Sequence, residues 1–492
     1  MSDTTVIRNA SIYDGSGGAP FLADVLIDGE FIADIGTIGG GARIELDGTD
    51  LAVAPGFIDV HTHDDFAALV RPDMSFKSRG GVTTCVAGNC GFGAAPHDAA
   101  TTMARAFHPH DDFPEYEGYG GYFACLDDSP PGVNIAVLAG HGTIRLEAMG
   151  LDARPPDAGE MNSMKASLSE GLDAGVLGLS TGLIYEPGRY AATEEIIELA
   201  SVMKDAGGIY ATHLRDEGAG LLGAIDEALR IGDEAGVAVQ ISHHKVMGRP
   251  NWGLVTESLE LIESARRQGQ VVHADQYPYT AGSTVLSAVV QNEMFNDGDD
   301  GEIKATDVVI AACAAKPEWE GVSIGVLAVR WHLVPSAAAA RVLGQEPGTT
   351  VVIHSMNEED VQTVLGHPST MIGSDGIPTL GGRPHPRLYN TFARVLGHYS
   401  RELGVLPMAE AIRRMTRYSA DTFGLVGRGR VETGFHADLV VFDPGTVIDR
   451  GTFDDPNQYP GGIHKVFVNG VEVVSNDTYT GARPGRALRR LD

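Results

Sequence analysis

Residues 193–277 string three helix–strand units end to end, and this run constrains the fold more tightly than anything else in the sequence. TEEIIELASVMKDAG places Thr193 as the expected N-cap and Glu194 and Glu195 in the first turn, and it stops at Gly207, with the strand IYATHL directly after it. AGLLGAIDEALRIGDEAG ends in Gly236 and leads into VAVQISH, and TESLELIESARRQG ends in Gly269 and leads into VVHADQY. Strands joined through single helices pair in parallel and need helices over their outer face. Carried along the chain, the same reading gives eight candidate strands: 56–63, 82–88, 134–142, 175–180, 209–214, 237–243, 271–277 and 371–375. Eight is the number of a closed (β/α)8, TIM-like barrel. The expected fold class is therefore α/β, with the barrel over 56–425 and an inserted subdomain at about 285–365 that lengthens the last crossover.

The two chain ends have a different rhythm. TTVIRNASIYDG, ADVLIDGEFIADIG and ARIELDG alternate short apolar runs with Gly and Asp turns, and ADLVVFDPG and HKVFVNGVEVV repeat this in the tail, where Asn469-Gly470 is a hairpin signal. Residues 1–55 and 426–492 are expected to join as one small β-sandwich domain, which requires only that the intervening barrel bring its ends together.

Charge narrows the partners. With 66 Asp+Glu against 36 Lys+Arg the formal charge is −30, so nucleic acid and anionic membrane surfaces are repelled. The start MSDTTVIRNASIYDG has no basic or apolar signal region, and no apolar run approaches the roughly 18 residues of a membrane span, so a soluble cytoplasmic protein is expected. Cys85, Cys90, Cys125 and Cys313 are too few for a disulfide scaffold. Nothing in the sequence indicates the oligomeric state.

Polar residues gather at the C-terminal ends of the candidate strands, the face on which barrel active sites are built. His61 and His63 end the first strand, Cys90 follows the second, His141 the third, His213 ends the fifth, His243 the sixth and Asp375 the eighth. His61 and His63, two residues apart on a strand, point the same way and can share an ion. Imidazoles, a thiolate and a carboxylate converging in one barrel mouth suit zinc. Cys90 stands between Gly88 and Gly91, which free the backbone to bend, whereas Cys85, Cys125 and Cys313 read as packing residues. Beside a metal, Asp375 can take a proton from attacking water and return it to a leaving nitrogen.

APGFIDVHTHDD, GNCG around Cys90, THLRDE with His213, QISHHK with His243, DQYPYTAGST, GSDG around Asp375, HPRLYNTFARVLGHY and GFHADLVVFDP together resemble the N-acyl-D-amino-acid deacylases (D-aminoacylases) of the amidohydrolase superfamily, over about residues 4–490. The resemblance implies zinc-dependent hydrolysis of the amide of an N-acyl-D-amino acid to a carboxylate and the free amino acid. It implies a tight zinc on Cys90, His213 and His243, with His61, His63 and Asp375 around a second, weaker position that Cys90 can bridge. Between His243 and its neighbour His244, strand alternation turns only one inward, and the family pattern favours His243. The substrate carboxylate falls to Lys245, Tyr277, Ser283 and Arg387, with Tyr185 beside the oxyanion, and the D preference rests on the resemblance alone. The rival readings are a cyclic-amide hydrolase of hydantoin or dihydropyrimidine type and a non-catalytic zinc-binding barrel. No further basic residue is committed to a second carboxylate, which leans the expected side chain toward neutral or hydrophobic.

Overall fold

The computed structural model describes residues 4–298 and 301–490. Its centre is a barrel of eight parallel strands: β1 Phe57–Asp59, β2 Val82–Ala87, β3 Asn134–Val137 continuing through Ala139–Gly140, β4 Gly178–Gly182, β5 Ile209–His213, β6 Ala238–Ile241, β7 Val272–Gln276 and β8 Thr370–Ile372. Ladders run β1-β2-β3 and from β3 through β4, β5, β6 and β7 to β8. The ring closes just past β8, where the Asp375 amide donates to the His61 carbonyl at 2.8 Å and Thr62 bridges Gly376 in parallel. The alternation of side chains explains why these stretches form strands. Ile58, Val60, Val86, Leu138, Ala211 and Met371 share one cluster that fills the barrel, whereas Val137, Leu179, Tyr210, Val239, Ile241 and Ile372 belong to the layer under the helices.

Two local expectations shift. Thr193 is the first helical residue, not the cap. Ala192 occupies the cap position, the Thr193 hydroxyl is drawn off to Glu227 at 2.8 Å, and the α-helix ends at Ala200 before a 3-10 turn over Ser201–Met203. The fourth strand begins at Gly178 and not at 175, because Gly175 (φ 113°) closes the helix Ala158–Ala174, which starts in a full capping box between Asp157 and Glu160.

Between β7 and β8 the chain builds a three-stranded antiparallel sheet, with Thr350–Ile353 between Gly282–Val285 and Val308–Ala312, and packs Ile324–Trp331 and Pro335–Leu343 on it. Both chain ends enter one nine-stranded sheet, joined where Ala52–Pro55 pairs antiparallel with Leu439–Phe442. The sheet curls over a core of Ile7, Val25, Ile27, Ile32, Val53, Leu439 and Phe467, and Ile32 and Ala437 hydrogen-bond across its two halves to Phe435 and Glu30. Asn469 (φ 46°) and Gly470 (φ 78°) form the hairpin between Ile463–Val468 and Val471–Ser475. No single helix among the described residues is long and apolar enough to cross a membrane.

A buried polar knot ties this sheet to the barrel. Asp438 pairs with Arg428, accepts the Asn469 amide at 2.7 Å and the Asn134 side-chain amide at 3.3 Å, and Asn469 donates to Asn134 at 2.9 Å. Asp438→Ala leaves Arg428 charged, buried and unpaired, which costs about 3–5 kcal/mol. A lowered urea midpoint is expected, and an unchanged midpoint would show that the knot adds nothing to stability.

Candidate metal centre and active site

At the C-terminal mouth of the barrel, six side chains from five strand ends converge. The potential ligand atoms of His61, His63, Cys90 and Asp375 lie within 4.8 Å of one another, and so do those of Cys90, His213 and His243. Cys90 belongs to both groups. Its Sγ is 3.3 Å from His61 Nε2, 3.6 Å from His243 Nε2 and 3.8 Å from His213 Nδ1. Asp375 Oδ1 is 3.1 Å from His63 Nε2 and 3.5 Å from His61 Nε2. All six side chains are buried.

Close backbone packing puts Cys90 there. A Cβ at Gly182 would sit 2.1 Å from the Cys90 carbonyl oxygen, and one at Gly91 would sit 2.9 Å from the Gly182 amide, so the loop after β2 lies directly on the end of β4. Cys90 (φ 55°), His243 (φ 36°) and Asp375 (φ 50°) all hold the left-handed backbone region that non-glycine residues avoid. Three such residues in one mouth is the pattern of strain held at a functional site, at about 1–3 kcal/mol each.

The electrostatics fit a metal ion. Burial alone would raise the Cys90 thiol, but the charge of His61 and contacts with His213 and His243 outweigh it and hold the thiol well below its usual range, which favours the thiolate that metals require. Burial likewise opposes ionisation of Asp375, yet Arg387, His243 and His61 hold its carboxyl well below the usual carboxylate range. His63 is pushed up to about 9 because its hydrogen bond to Asp375 and the neighbouring Cys90 overcome burial. His61, His63 and His243 are all shifted toward the protonated form by the acidic groups around them, whereas burial holds His213 toward the neutral imidazole that binds a metal.

Two residues the sequence reading passed over orient the histidines. Asp275, on β7, accepts from His61 Nδ1 at 3.2 Å and from the His243 amide at 3.0 Å. Glu217, in the loop after β5, lies 3.1 Å from His243 Nδ1, 3.6 Å from His213 Nε2 and 2.6 Å from Lys245 Nζ. Both stand inside the quoted motifs THLRDE and DQYPYTAGST, and the available signal was an acidic residue in the same strand-end segment as a candidate ligand. His244 turns away and meets Ser258 Oγ at 2.7 Å on the helix Val255–Arg267, while His243 faces Cys90.

The substrate-side candidates are partly committed within the protein. Lys245 is held by Glu217. Arg387 donates from Nη2 to Asp375 Oδ2 at 2.9 Å and to the Ser283 carbonyl at 3.1 Å, and it stacks over Tyr277 at 4.4 Å. Its Nε and Nη1 and the Tyr277 hydroxyl are buried with no hydrogen-bond partner. The Tyr185 hydroxyl meets Thr284 Oγ1 at 3.0 Å, with its ring edge-on to His213 at 5.1 Å. His141 is paired to Glu195 at 2.9 Å and lies outside both ligand groups.

An eight-stranded parallel barrel with histidines on the first, fifth and sixth strand ends and an aspartate past the eighth, joined to a β domain made from both termini, is the architecture of a metal-dependent amidohydrolase. The profile of the amidohydrolase family matches residues 45–298 and 260–474, and the chain belongs to that family, in its N-acyl-D-amino-acid deacylase (D-aminoacylase) branch. A D-aminoacylase of Alcaligenes xylosoxydans xylosoxydans is 41% identical over 99% of this chain and 97% of its own length. An N-acyl-D-glutamate deacylase of the same organism is 38% identical over 99% and 96%. The crystal structure of N-acyl-D-glutamate deacylase from Bordetella bronchiseptica, complexed with zinc and a phosphonate inhibitor that mimics the reaction's tetrahedral intermediate, is 38% identical, covers 99% of this chain and 100% of its own, and superposes with a TM-score of 0.91.

Proposed function

We propose that the protein is a zinc-dependent hydrolase that cleaves the amide of N-acyl-D-amino acids to a carboxylate and a free D-amino acid. One observation carries the reading: Cys90 is shared between a donor group with His213 and His243 and a donor group with His61, His63 and Asp375. Cys90, His213 and His243 would hold the tight zinc, and His61, His63 and Asp375 would surround the weaker position. Zinc held by these residues would lower the pKa of a water toward about 7 and would polarise the acyl carbonyl. Asp375 accepts the proton of the attacking water and hands it to the departing nitrogen, whose anion is too basic to leave unprotonated. Tyr185 donates toward the developing oxyanion.

Arg387, Tyr277, Ser283 and Lys245 take the substrate carboxylate. The unpartnered Arg387 Nε and Nη1 and Tyr277 hydroxyl support this, since buried donors without acceptors are costly until an anion arrives. A hydantoin or dihydropyrimidine ring brings no free carboxylate to them, which counts against the cyclic-amide reading. A panel of N-acetyl-D- and N-acetyl-L-amino acids, with ninhydrin detection of the released amine, tests the activity. Turnover of the D series is expected, and a zinc-loaded protein that cleaves none of them would overturn it. Methyl esters of the D substrates should show a KM raised by at least about tenfold, reflecting the lost charged contacts. Equal handling of acid and ester would remove the clamp.

Glu217 acts through the ligands it orients. Glu217→Gln is expected to weaken zinc binding by about 10–100-fold in competition with a chelator, as when a ligand-orienting carboxylate is lost. Unchanged affinity would leave Glu217 as the counter-ion of Lys245 only.

A further inference from the structure

A cavity of about 470 Å3 opens beside the metal centre, with His213 and Glu217 in its floor. Ile184, Met247, Phe295 and Ile303 supply apolar wall, and Asp216, Glu293 and Glu302 stand exposed at its edge. Among the described residues lining it, the cation is Arg215, whose guanidinium is held by Glu227 at 2.9 Å through both Nε and Nη2 and by the carbonyls of Arg189 and Ala191. Glu217 is neutralised by Lys245. The three edge carboxylates carry no such counter-ion among the described residues, so the cavity is apolar in its walls and negative at its mouth. His213, a donor of the tight metal group, borders the same space, so an arm lying in the cavity reaches directly up to the metal centre.

Resting on the deacylase reading above, we infer that this cavity selects a substrate arm made of an aliphatic chain ending in a cation, an ammonium or a guanidinium. The stem lies against Met247, Phe295 and Ile303, while the charged end reaches Glu293 and Glu302. An arm ending in a carboxylate meets like charge there and is disfavoured. The arm can be the side chain of the D-amino acid or the acyl group, since both leave the scissile amide beside the metal centre. The lack of a further committed basic residue only leans the side chain away from anions, and the acidic edge adds a positive preference that this lack alone does not provide.

The zinc-loaded enzyme distinguishes the sources in two arms. One compares Nα-acetyl-D-lysine with N-acetyl-D-norleucine and N-acetyl-D-glutamate. The other compares 6-aminohexanoyl-D-alanine with hexanoyl-D-alanine. In one arm kcat/KM for the cationic substrate should exceed that of its neutral counterpart by about two- to fivefold, the scale of exposed ion pairs. The advantage should shrink in about 0.5 M NaCl, where such charges are screened. The double variant Glu293→Gln/Glu302→Gln should bring the ratio to about one while leaving turnover of the neutral substrate unchanged. Equal rates for cationic and neutral substrates in both arms, or a preference that survives the double variant, would overturn the inference while leaving the deacylase reading intact. No turnover of any of these substrates would overturn both.

Discussion

Asp375→Asn is expected to lower kcat by about 10²–10⁴-fold, the range a positioned acid–base contributes, with the tight zinc retained. The substitution keeps the shape of the side chain. It also keeps an oxygen that can accept from Arg387 Nη2, which now stands 2.9 Å from Asp375 Oδ2. What it removes is the capacity to take a proton and to release one to the leaving nitrogen. Zinc stays because Cys90, His213 and His243 are untouched and form a complete donor group without Asp375. The measurement is kcat alongside metal stoichiometry by elemental analysis. Near-normal kcat would remove Asp375 from the chemistry, and loss of the tight zinc would recast the residue as a ligand first.

Cys90→Ala is expected to abolish turnover and to strip zinc from both positions together, because its sulfur is the atom common to both donor groups. His213→Ala, by contrast, should weaken only the tight position. The paired control is Cys85→Ala. Cys85 is as buried as Cys90, but it packs in the barrel wall, and burial raises its thiol well above the usual range, so it is inert as a ligand. Elemental analysis should give Cys85→Ala the zinc content of the unaltered protein. Retention of zinc by Cys90→Ala would end the shared-thiolate assignment.

Much of this was legible along the chain, for reasons that differ by residue. The barrel was legible because each buried parallel strand is a short apolar run that a glycine-stopped helix hands over, as at Gly236 and Gly269. Its mouth was legible because a strand end is a fixed address in such a barrel, so His61, His213 and Asp375 could be placed on one face without knowing any distance. For His243 and His244, alternation of side chains says only that one turns inward, and the choice of His243 rests on the family resemblance, because the strand itself ends at Ile241. Glu217 and Asp275 were not legible as orienting groups. An acid four residues past a histidine reads as loop surface until the chain folds the β5 loop over the β6 ligand. The same limit applies to Lys77, buried against Asp59 at 2.9 Å and Ser374 at 3.0 Å, which fixes the backbone beside Asp375 from a helix 297 residues away. Thr193 misled for a related reason: its hydroxyl serves a neighbouring helix that no local pattern reveals.

The sheet built from both termini also sets an order of events during synthesis. Ala52–Pro55 meets its partner Leu439–Phe442 only after 439 − 55 = 384 further residues have been added. At about 5–20 residues per second, that is roughly 20–80 s of elongation. Throughout that interval the edge of Ala52–Pro55 that later joins Leu439–Phe442 waits without its partner, and such an edge is open to pairing with other nascent chains. The barrel can assemble meanwhile from neighbouring units, so the last step of folding is the capture of the tail. Ribosome stalling within the final strands would therefore release a barrel-containing chain whose terminal sheet is half built.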